Sequence, residues 1–425
     1  MKKNIFKIFF AITTAFFSIF LSSCYEDLYG RINEEVPLET NGITGNASFA
    51  RAGNYIWLSN GNLYFKTNQQ SSVYYQQTGE YNKQWKKAQV PSVASRENYI
   101  VKPTANFIVA DSSNLYMIIY VWHENSGGEN DIESKHIYTT PITSSTNAAE
   151  IKAEDWKEID VSAICGTNNK NPSSARYNSI QIIFDNQALD DAKRKAYARI
   201  YDTSSNSYKV YLLNGSSALS SANEISENGA GSSTISAVYF PKDGKTYFSD
   251  YYAMAANNKY IYYSESKTVS NNVSSSSVIH YADSYDNANG FTLNGSSPAS
   301  VSLDAGGILS IGLTSNYILL GTTSGLKHVF LNDSVPSSNI SSFSSGNNGG
   351  SIISEYVFKV FVLDPTKQDD TKATANGTDE YCAYSIYGSI SSSSDAFDET
   401  GLYAYYPGRG TWNRDGTADE ATGGN

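Results

Sequence analysis

The sequence predicts an all-β chain: a β-propeller of six or seven blades, seven favoured, preceded by a lipoprotein signal peptide and a short tether. Three observations lead there. Short apolar runs alternate with polar turns from about Asn46 onward. Similar strand pairs return about every 50–60 residues. The N-terminus runs from positive to apolar to small residues and ends in a cysteine.

The first element is an address. Lys2, Lys3 and Lys7 form the positive part, and residues 8–21 are apolar apart from Thr13, Thr14 and Ser18. A spanning helix needs about 20 apolar residues, so this run is short for one. Leu21-Ser22-Ser23-Cys24 resembles a bacterial lipobox. That resemblance implies cleavage between Ser23 and Cys24, a diacylglyceryl group on Cys24, and acylation of the new amine. Small residues at 22 and 23 give a peptidase access to the bond. One acyl chain binds a membrane only marginally, at about 0.8 kcal/mol per CH₂, so two or three chains are needed for a stable anchor. Tyr25 and Glu26 follow the cysteine, so the Asp that commonly retains such proteins at the inner membrane is missing. The expected location is the bacterial cell envelope, lipid-anchored, with the outer membrane favoured and its face left open.

Residues 24–45 are polar and acidic and carry Pro37, which suits a flexible tether. Ile32 and Val36 would suit an ordered entry strand instead. Residues 46–415 form the propeller-like domain, and the Gly/Thr/acid-rich tail at 416–425 is expected to be disordered.

Within the domain, residues 54–67 read as two strands joined through Asn60-Gly61, a strong hairpin signal. Residues 106–122, 196–213, 246–264 and 308–323 read as further pairs, and 355–364 and 380–390 as further strands. Polar turns lead repeatedly into Asn and an aromatic or Leu, as in Asn54-Tyr55, Asn62-Leu63, Asn114-Leu115 and Asn316-Tyr317. Trp85-Lys86-Lys87 is echoed by Trp156-Lys157-Glu158 after 71 residues, and Leu213-Asn214-Gly215-Ser216-Ser217 returns at 293–297. One wider gap leaves room for a divergent copy. A pair of sandwiches and a β-solenoid are the alternatives, but neither needs repeats of this length. Residues 147–159 are the best helix candidate, although the Trp-Lys echo makes their second half a strand. Residues 401–416 are the last blade or the strand that closes the ring.

Charge narrows the partners. The net charge is −11, and removal of Lys2, Lys3 and Lys7 takes the mature chain to −14. That argues against nucleic acid, which needs a basic footprint. Beyond Cys24, only Cys165 and Cys382 remain, read as two buried thiols in preference to one bridge closing a very long loop.

No chemical motif stands out. His123, His136, His280 and His328 fall in no zinc-binding spacing, and His123 beside Glu124 is the one to watch. The chain has no Gly-x-Ser-x-Gly elbow and no phosphate-binding glycine loop, and no single Ser is favoured. Residues 242–248 faintly resemble the Asp-box turn of sialidases but read more simply as an Asp-Gly hairpin turn. Residues 283–290 are oxygen-rich, yet their acids miss the Ca²⁺ loop positions, so a solvated loop is preferred. No catalytic residue, metal ligand or cofactor is assigned. Tyr74-Tyr75, Tyr251-Tyr252, residues 260–263, and Tyr403, Tyr405 and Tyr406 with Trp412 form aromatic clusters. Packing between blades is their first reading, and a surface for sugar or peptide is the second.

The lipobox, the 25–38 lead, the Tyr/Asn/Ser-rich strands and the close at 405–416 resemble uncharacterised lipoproteins of oral treponemes and related spirochaetes. The resemblance implies a surface or periplasmic lipoprotein and supplies no site beyond Cys24. The functional expectation is a lipid-anchored binding or adhesion module for a glycan or protein ligand, more a binder than an enzyme. A cell-envelope glycan hydrolase or lyase is the alternative, and a structural subunit of an envelope complex is the second alternative.

Overall fold

A computed structural model describes residues 48–59, 73–77, 86–91, 102–124, 130–166, 180–224, 254–257, 259–269, 272–283, 299–314, 316–342, 356–363, 382–390, 397–406 and 411–415. Signal peptide, Cys24, tether and tail lie outside these residues, as do 242–248 and 284–290.

Almost all of the described chain is antiparallel strand. The first sheet holds β1 (Ser48–Ala52), β2 (Tyr55–Ser59), β3 (Val73–Gln77) and β4 (Lys86–Lys87) in that order. The second holds β5 (Lys102–Ala110), β6 (Asn114–Glu124), β7 (Asn130–Pro141) and β8 (Lys157–Glu158). The third holds β9 (Ile180–Asp185), β10 (Ala196–Asp202) and β11 (Ser207–Leu212). The fourth holds β12 (Met254–Ala256), β13 (Tyr260–Val269), β14 (Asn272–Asp283) and β15 (Ala299–Ser302). The fifth holds β16 (Ile308–Leu313), β17 (Tyr317–Thr322), β18 (Gly325–Asn332) and β19 (Val335–Ser342). The sixth holds β20 (Tyr356–Leu363), β21 (Cys382–Ile390), β22 (Phe397–Tyr406) and β23 (Thr411–Asp415).

Each sheet is a meander, and the first strand of each adjoins the first strand of a neighbour: β1 with β5, β5 with β9, β12 with β16, β16 with β20, and β20 with β1. The third and fourth sheets share one core. This is propeller architecture. Among the described residues, five sheets are complete four-stranded blades, and the third has three strands and a bridge from Tyr211 to Glu224 on its outer edge. The expectation of six or seven full blades is corrected accordingly. Among the described residues the wider gap shows no further sheet. Its described residues hold the long strand β7, two 3-10 turns at Ala148–Glu150 and Ala153–Asp155, and a short helix at Ser162–Cys165.

The Asn60-Gly61 turn and residues 62–67 lie outside the described residues; β2 itself pairs with β1 on one edge and β3 on the other. The Trp-Lys echo fares better. Lys86-Lys87 and Lys157-Glu158 are the short outer strands of the first two blades. Ala88 N–H donates to Val73 O and Ile159 N–H to Ile137 O, both at 2.8 Å, so the two copies close their blades alike.

Both faces of a blade are covered by neighbours, so both phases of the strand alternation are apolar. In the second sheet Ile108, Leu115, Met117, Ile119 and Tyr138 pack toward the first sheet. Phe107, Val109, Tyr116, Ile118 and Ile137 pack toward the third.

The Asn-aromatic turns hold the first hairpin of three blades. Asp111, Asn257 and Thr314 each accept, through the side chain, the N–H three residues on: Asn114 at 2.6 Å, Tyr260 at 2.7 Å and Tyr317 at 2.8 Å. These are Asx and ST turns, a local bond that competes with continuing the strand. Two of them carry a tyrosine five residues after the Asx residue, and that tyrosine reaches the next sheet. Tyr116 donates to Asp111 and accepts from Gly215 N–H at 2.9 Å. Tyr262 accepts from Asn257 and donates to Ser334 O at 2.7 Å. A buried ring with a bonded hydroxyl serves both the core and the latch.

Inner strands bend by bulges. The register slips by one residue at Phe107 on β5, Gln181 on β9, Leu309 on β16 and Phe358 on β20. A bulge raises twist and frees a backbone group. In two cases the previous blade takes that group up: Ile108 N–H donates to Ser48 Oγ at 2.6 Å, and Val360 N–H to Ser310 Oγ at 3.0 Å. The fifth and sixth sheets approach closely at Gly321, where an added Cβ would sit 2.5 Å from Val357 O.

Candidate functional site

The ends of the inner strands meet at one mouth of the ring, and the loop of residues 186–195 between β9 and β10 lies across it. Asn186 folds the loop on itself, accepting from Ala188 and Lys195 N–H at 3.3 and 3.1 Å and donating to Lys193 O at 3.0 Å. Leu189 N–H then donates to Ala256 O at the end of β12, 3.1 Å away, and its side chain packs against the core of the fourth and fifth sheets. Arg194 donates through Nη1 to Arg51 O in β1 at 2.7 Å and through Nη2 to Ala188 O at 3.2 Å. Arg51 returns a bond from Nη2 to Leu189 O at 3.3 Å. One loop thus touches the first, third, fourth and fifth sheets.

Asp185, at the end of β9, sits beneath this loop. It accepts from Gln187 N–H at 3.0 Å and from the N–H of Ala110 at the end of β5. Burial pushes its carboxyl above the usual range, while Arg194, the two N–H groups and Arg51 pull the other way. Asp185, Arg51 and Arg194 are each buried. Glycosidic cleavage uses two carboxyl groups about 5–9.5 Å apart on either side of the bond. Here the partners of the one carboxylate are guanidinium and amide groups. The arrangement ties four inner strands together and offers no acid–base pair among the described residues.

A second polar cluster lies at the far end of the third sheet. Lys209 Nζ is 3.0 Å from Asp202 and 2.9 Å from Glu224. Asp202 also accepts from Ser204 N–H at 2.8 Å and from its hydroxyl at 2.6 Å. Beside it Tyr208 is 37% exposed, edge-on to Tyr201 at 5.2 Å, with the Arg199 guanidinium 4.9 Å from its ring centre. On the fifth sheet Phe330 is 49% exposed and edge-on to Tyr317, and Tyr317 lies against His328. Burial holds the His328 imidazole below its ordinary value.

The sequence candidates are scattered over the ring. Ser23 and Cys24 lie outside the described residues. His123 is on β6 with its side chain outside the description, and His280 stacks on Tyr263 at 5.1 Å. Tyr74, Tyr75, Tyr262 and Tyr263 are buried between sheets, in line with the packing reading. Tyr251 and Tyr252 lie outside the described residues, as do the side chains of Tyr403, Tyr405, Tyr406 and Trp412. Cys165 is buried in the core shared by the second, third and fourth sheets, and Cys382 opens β21. Among the described residues no three His, Cys, Asp or Glu gather to hold a metal, and no helix is long and apolar enough to cross a membrane. The clasp residues Arg51, Asp185 and Arg194 were not among the candidates, because no local motif marks side chains that meet across 143 residues.

The strand order defines a propeller whose inner strand ends are tied together by the loop of residues 186–195. No protein-family model matches the sequence, and no curated protein matches it. Among solved structures, the fold is similar to an exo-beta-1,3-galactanase from Phanerochaete chrysosporium, with TM-score 0.35 and 10% identity, covering 87% of this chain and 66% of that one. It is similar to the PQQ-bound aldose sugar dehydrogenase of Streptomyces coelicolor, with TM-score 0.35 and 10% identity over 86% and 96% of the two chains. It is also similar to PorZ, a surface component of the type-IX secretion system of Porphyromonas gingivalis, with TM-score 0.36 and 10% identity over 86% and 58%. The chain spans 66% of the galactanase's length and 58% of PorZ's. At such distance these likenesses carry no argument about this chain.

Proposed function

We propose that this chain is an exported, lipid-anchored propeller that works as a binding or adhesion module of the cell envelope. The observation that carries the reading is the clasp at the mouth: Asp185 is committed to Arg51, Arg194 and two backbone N–H groups. Among the described residues the groups acting on Asp185 are two guanidinium and two N–H groups, and none is the second carboxyl that glycosidic cleavage uses. Ligand contact then falls to the outer surfaces, where the aromatic groups around Tyr208 and Phe330 reach solvent. Tyr and Phe rings with polar neighbours suit sugars or extended peptides.

The anchor in this reading is Cys24, acylated after cleavage behind Ser23, on the outer membrane of a bacterial envelope. Residues 25–47 could span at most ~80 Å if fully extended, enough to hold the ring clear of the bilayer. Metabolic palmitate labelling tests the anchor: the wild type labels, and a Cys24→Ser protein that still labels overturns it. Retention of the soluble 25–425 form on glycan and matrix-protein arrays tests the binding.

A further inference from the structure

A different row of polar groups lies on the outer part of the second sheet. Ser134 and His136 are two residues apart on β7, so alternation puts both on one face. Tyr138 shares that face and packs toward the first sheet. β8 sets Glu158 opposite Tyr138. Glu158 Oε1 lies 2.7 Å from His136 Nδ1, and Ser134 Oγ lies 2.7 Å from His136 Nε2.

The bond directions follow from the donor inventory. A carboxylate only accepts, so Nδ1 carries the hydrogen. In the neutral ring Nε2 is then a lone pair, and the Ser134 hydroxyl donates to it. Glu158 is held from a second side by the Tyr138 hydroxyl. A hydroxyl bonded to an imidazole that is oriented by a carboxylate is the arrangement that activates a serine, and it is recognised by geometry whatever the fold.

We propose that Ser134, His136 and Glu158 form an acyl-transfer site that hydrolyses small acyl esters. Ser134 is the nucleophile, His136 the general base and then acid, and Glu158 the positioning residue. Ser134 is 7% exposed, while the His136 and Glu158 side chains are 14% and 51% exposed, so the row runs from a nearly buried hydroxyl to the surface. β8 pairs only with Tyr138 and Thr139, so among the described residues no outer strand runs beside Ser134 and His136. A hydroxyl so little exposed is reached by an acetyl-sized group sooner than by a long chain.

In the reaction Ser134 Oγ bonds to the ester carbonyl carbon as its proton passes to His136 Nε2. The tetrahedral adduct collapses, the carbon–oxygen bond to the alcohol breaks, and the leaving alkoxide takes the proton from His136. Water then attacks the acyl-serine, giving its proton to His136. Collapse of the second adduct releases the carboxylic acid and returns the proton to Ser134. No oxidant, metal or further reactant is needed. This activity is independent of the binding reading and stands or falls apart from it.

The test uses the full chain with p-nitrophenyl acetate, and separately with phenylmethylsulfonyl fluoride followed by peptide mapping. The expected result is catalytic release of p-nitrophenolate and a sulfonyl adduct on Ser134. Ser134→Ala should abolish both, and His136→Gln should slow turnover by ~10²–10⁴-fold. Glu158 is half exposed, so its variants should fold: Glu158→Gln should lower kcat with KM unchanged, and Glu158→Asp should restore part of it. Absence of turnover in the native chain, an adduct on another serine, or an unchanged kcat in Glu158→Gln would each overturn the proposal.

Discussion

Phe49 of β1 stacks on Phe361 of β20, with ring centroids 5.5 Å apart and planes 19° apart. The pair sits where the first sheet of the chain meets the last. Each sheet is built from consecutive strands, so among the described residues side-chain packing, with no strand shared between the two ends, closes the ring there. Both rings are buried. Phe49→Ala and Phe361→Ala should each cost about 3–5 kcal/mol. A double-mutant cycle in urea should return a coupling of ~0.5–1.5 kcal/mol for the stack. Strictly additive losses would mean that the seam lies elsewhere.

Arg194→Met removes the donor to Arg51 O and Ala188 O and takes one cation from Asp185. Breaking a buried charge pair from one side costs about 3–5 kcal/mol. The loop should also open, so trypsin should cut after Lys193 or Lys195 in the variant and spare both in the wild type. Adding Asp185→Asn should recover part of the loss, because the carboxylate left behind is then neutral. A variant as stable and as protected as the wild type would show that the loop is not held by this clasp.

Asp202 gives a pH signature. Burial raises its carboxyl, but the Ser204 and Lys209 bonds outweigh that and hold it below the usual range. A depressed folded value means that the stabilisation is fully present above the ordinary aspartate value of about 3.9 and is lost as pH falls through the folded value. Asp202→Asn should therefore cost ~1.5–3 kcal/mol at neutral pH. The gap to the wild type should narrow as the pH drops below about 4. A gap that stays constant into acid would contradict the ionised, clasped form.

Much of the ring was legible in local residues. Asn114-Leu115-Tyr116 and Asn316-Tyr317 do open second strands, because an Asx or ST residue just upstream caps the hairpin. Trp156-Lys157-Glu158 matches its earlier copy because the two blades end with the same bond. The high tyrosine content has a reason in Tyr116 and Tyr262, whose rings pack between sheets while their hydroxyls latch the neighbour. The blade count was overread because the stretch after β7 turns twice in 3-10 form before the next sheet begins, and strand signals alone do not reveal that detour.

The sites were hardly legible. A bulge at Phe107 leaves no mark in residue type, and the Arg51–Asp185–Arg194 clasp joins side chains distant in sequence. Ser134-Lys135-His136 carried a faint signal, since two polar groups two apart on a strand share a face. Its partner Glu158 became visible only with the register of β7 and β8.

The most direct test of the account is to apply residues 25–425 to printed glycans and matrix proteins and to read the same spots for retained protein and for released sugar. The proposed binding module predicts protein retained on particular spots with the printed glycans intact. Sugar released from those spots would contradict the account and would make the propeller a glycan-cleaving enzyme.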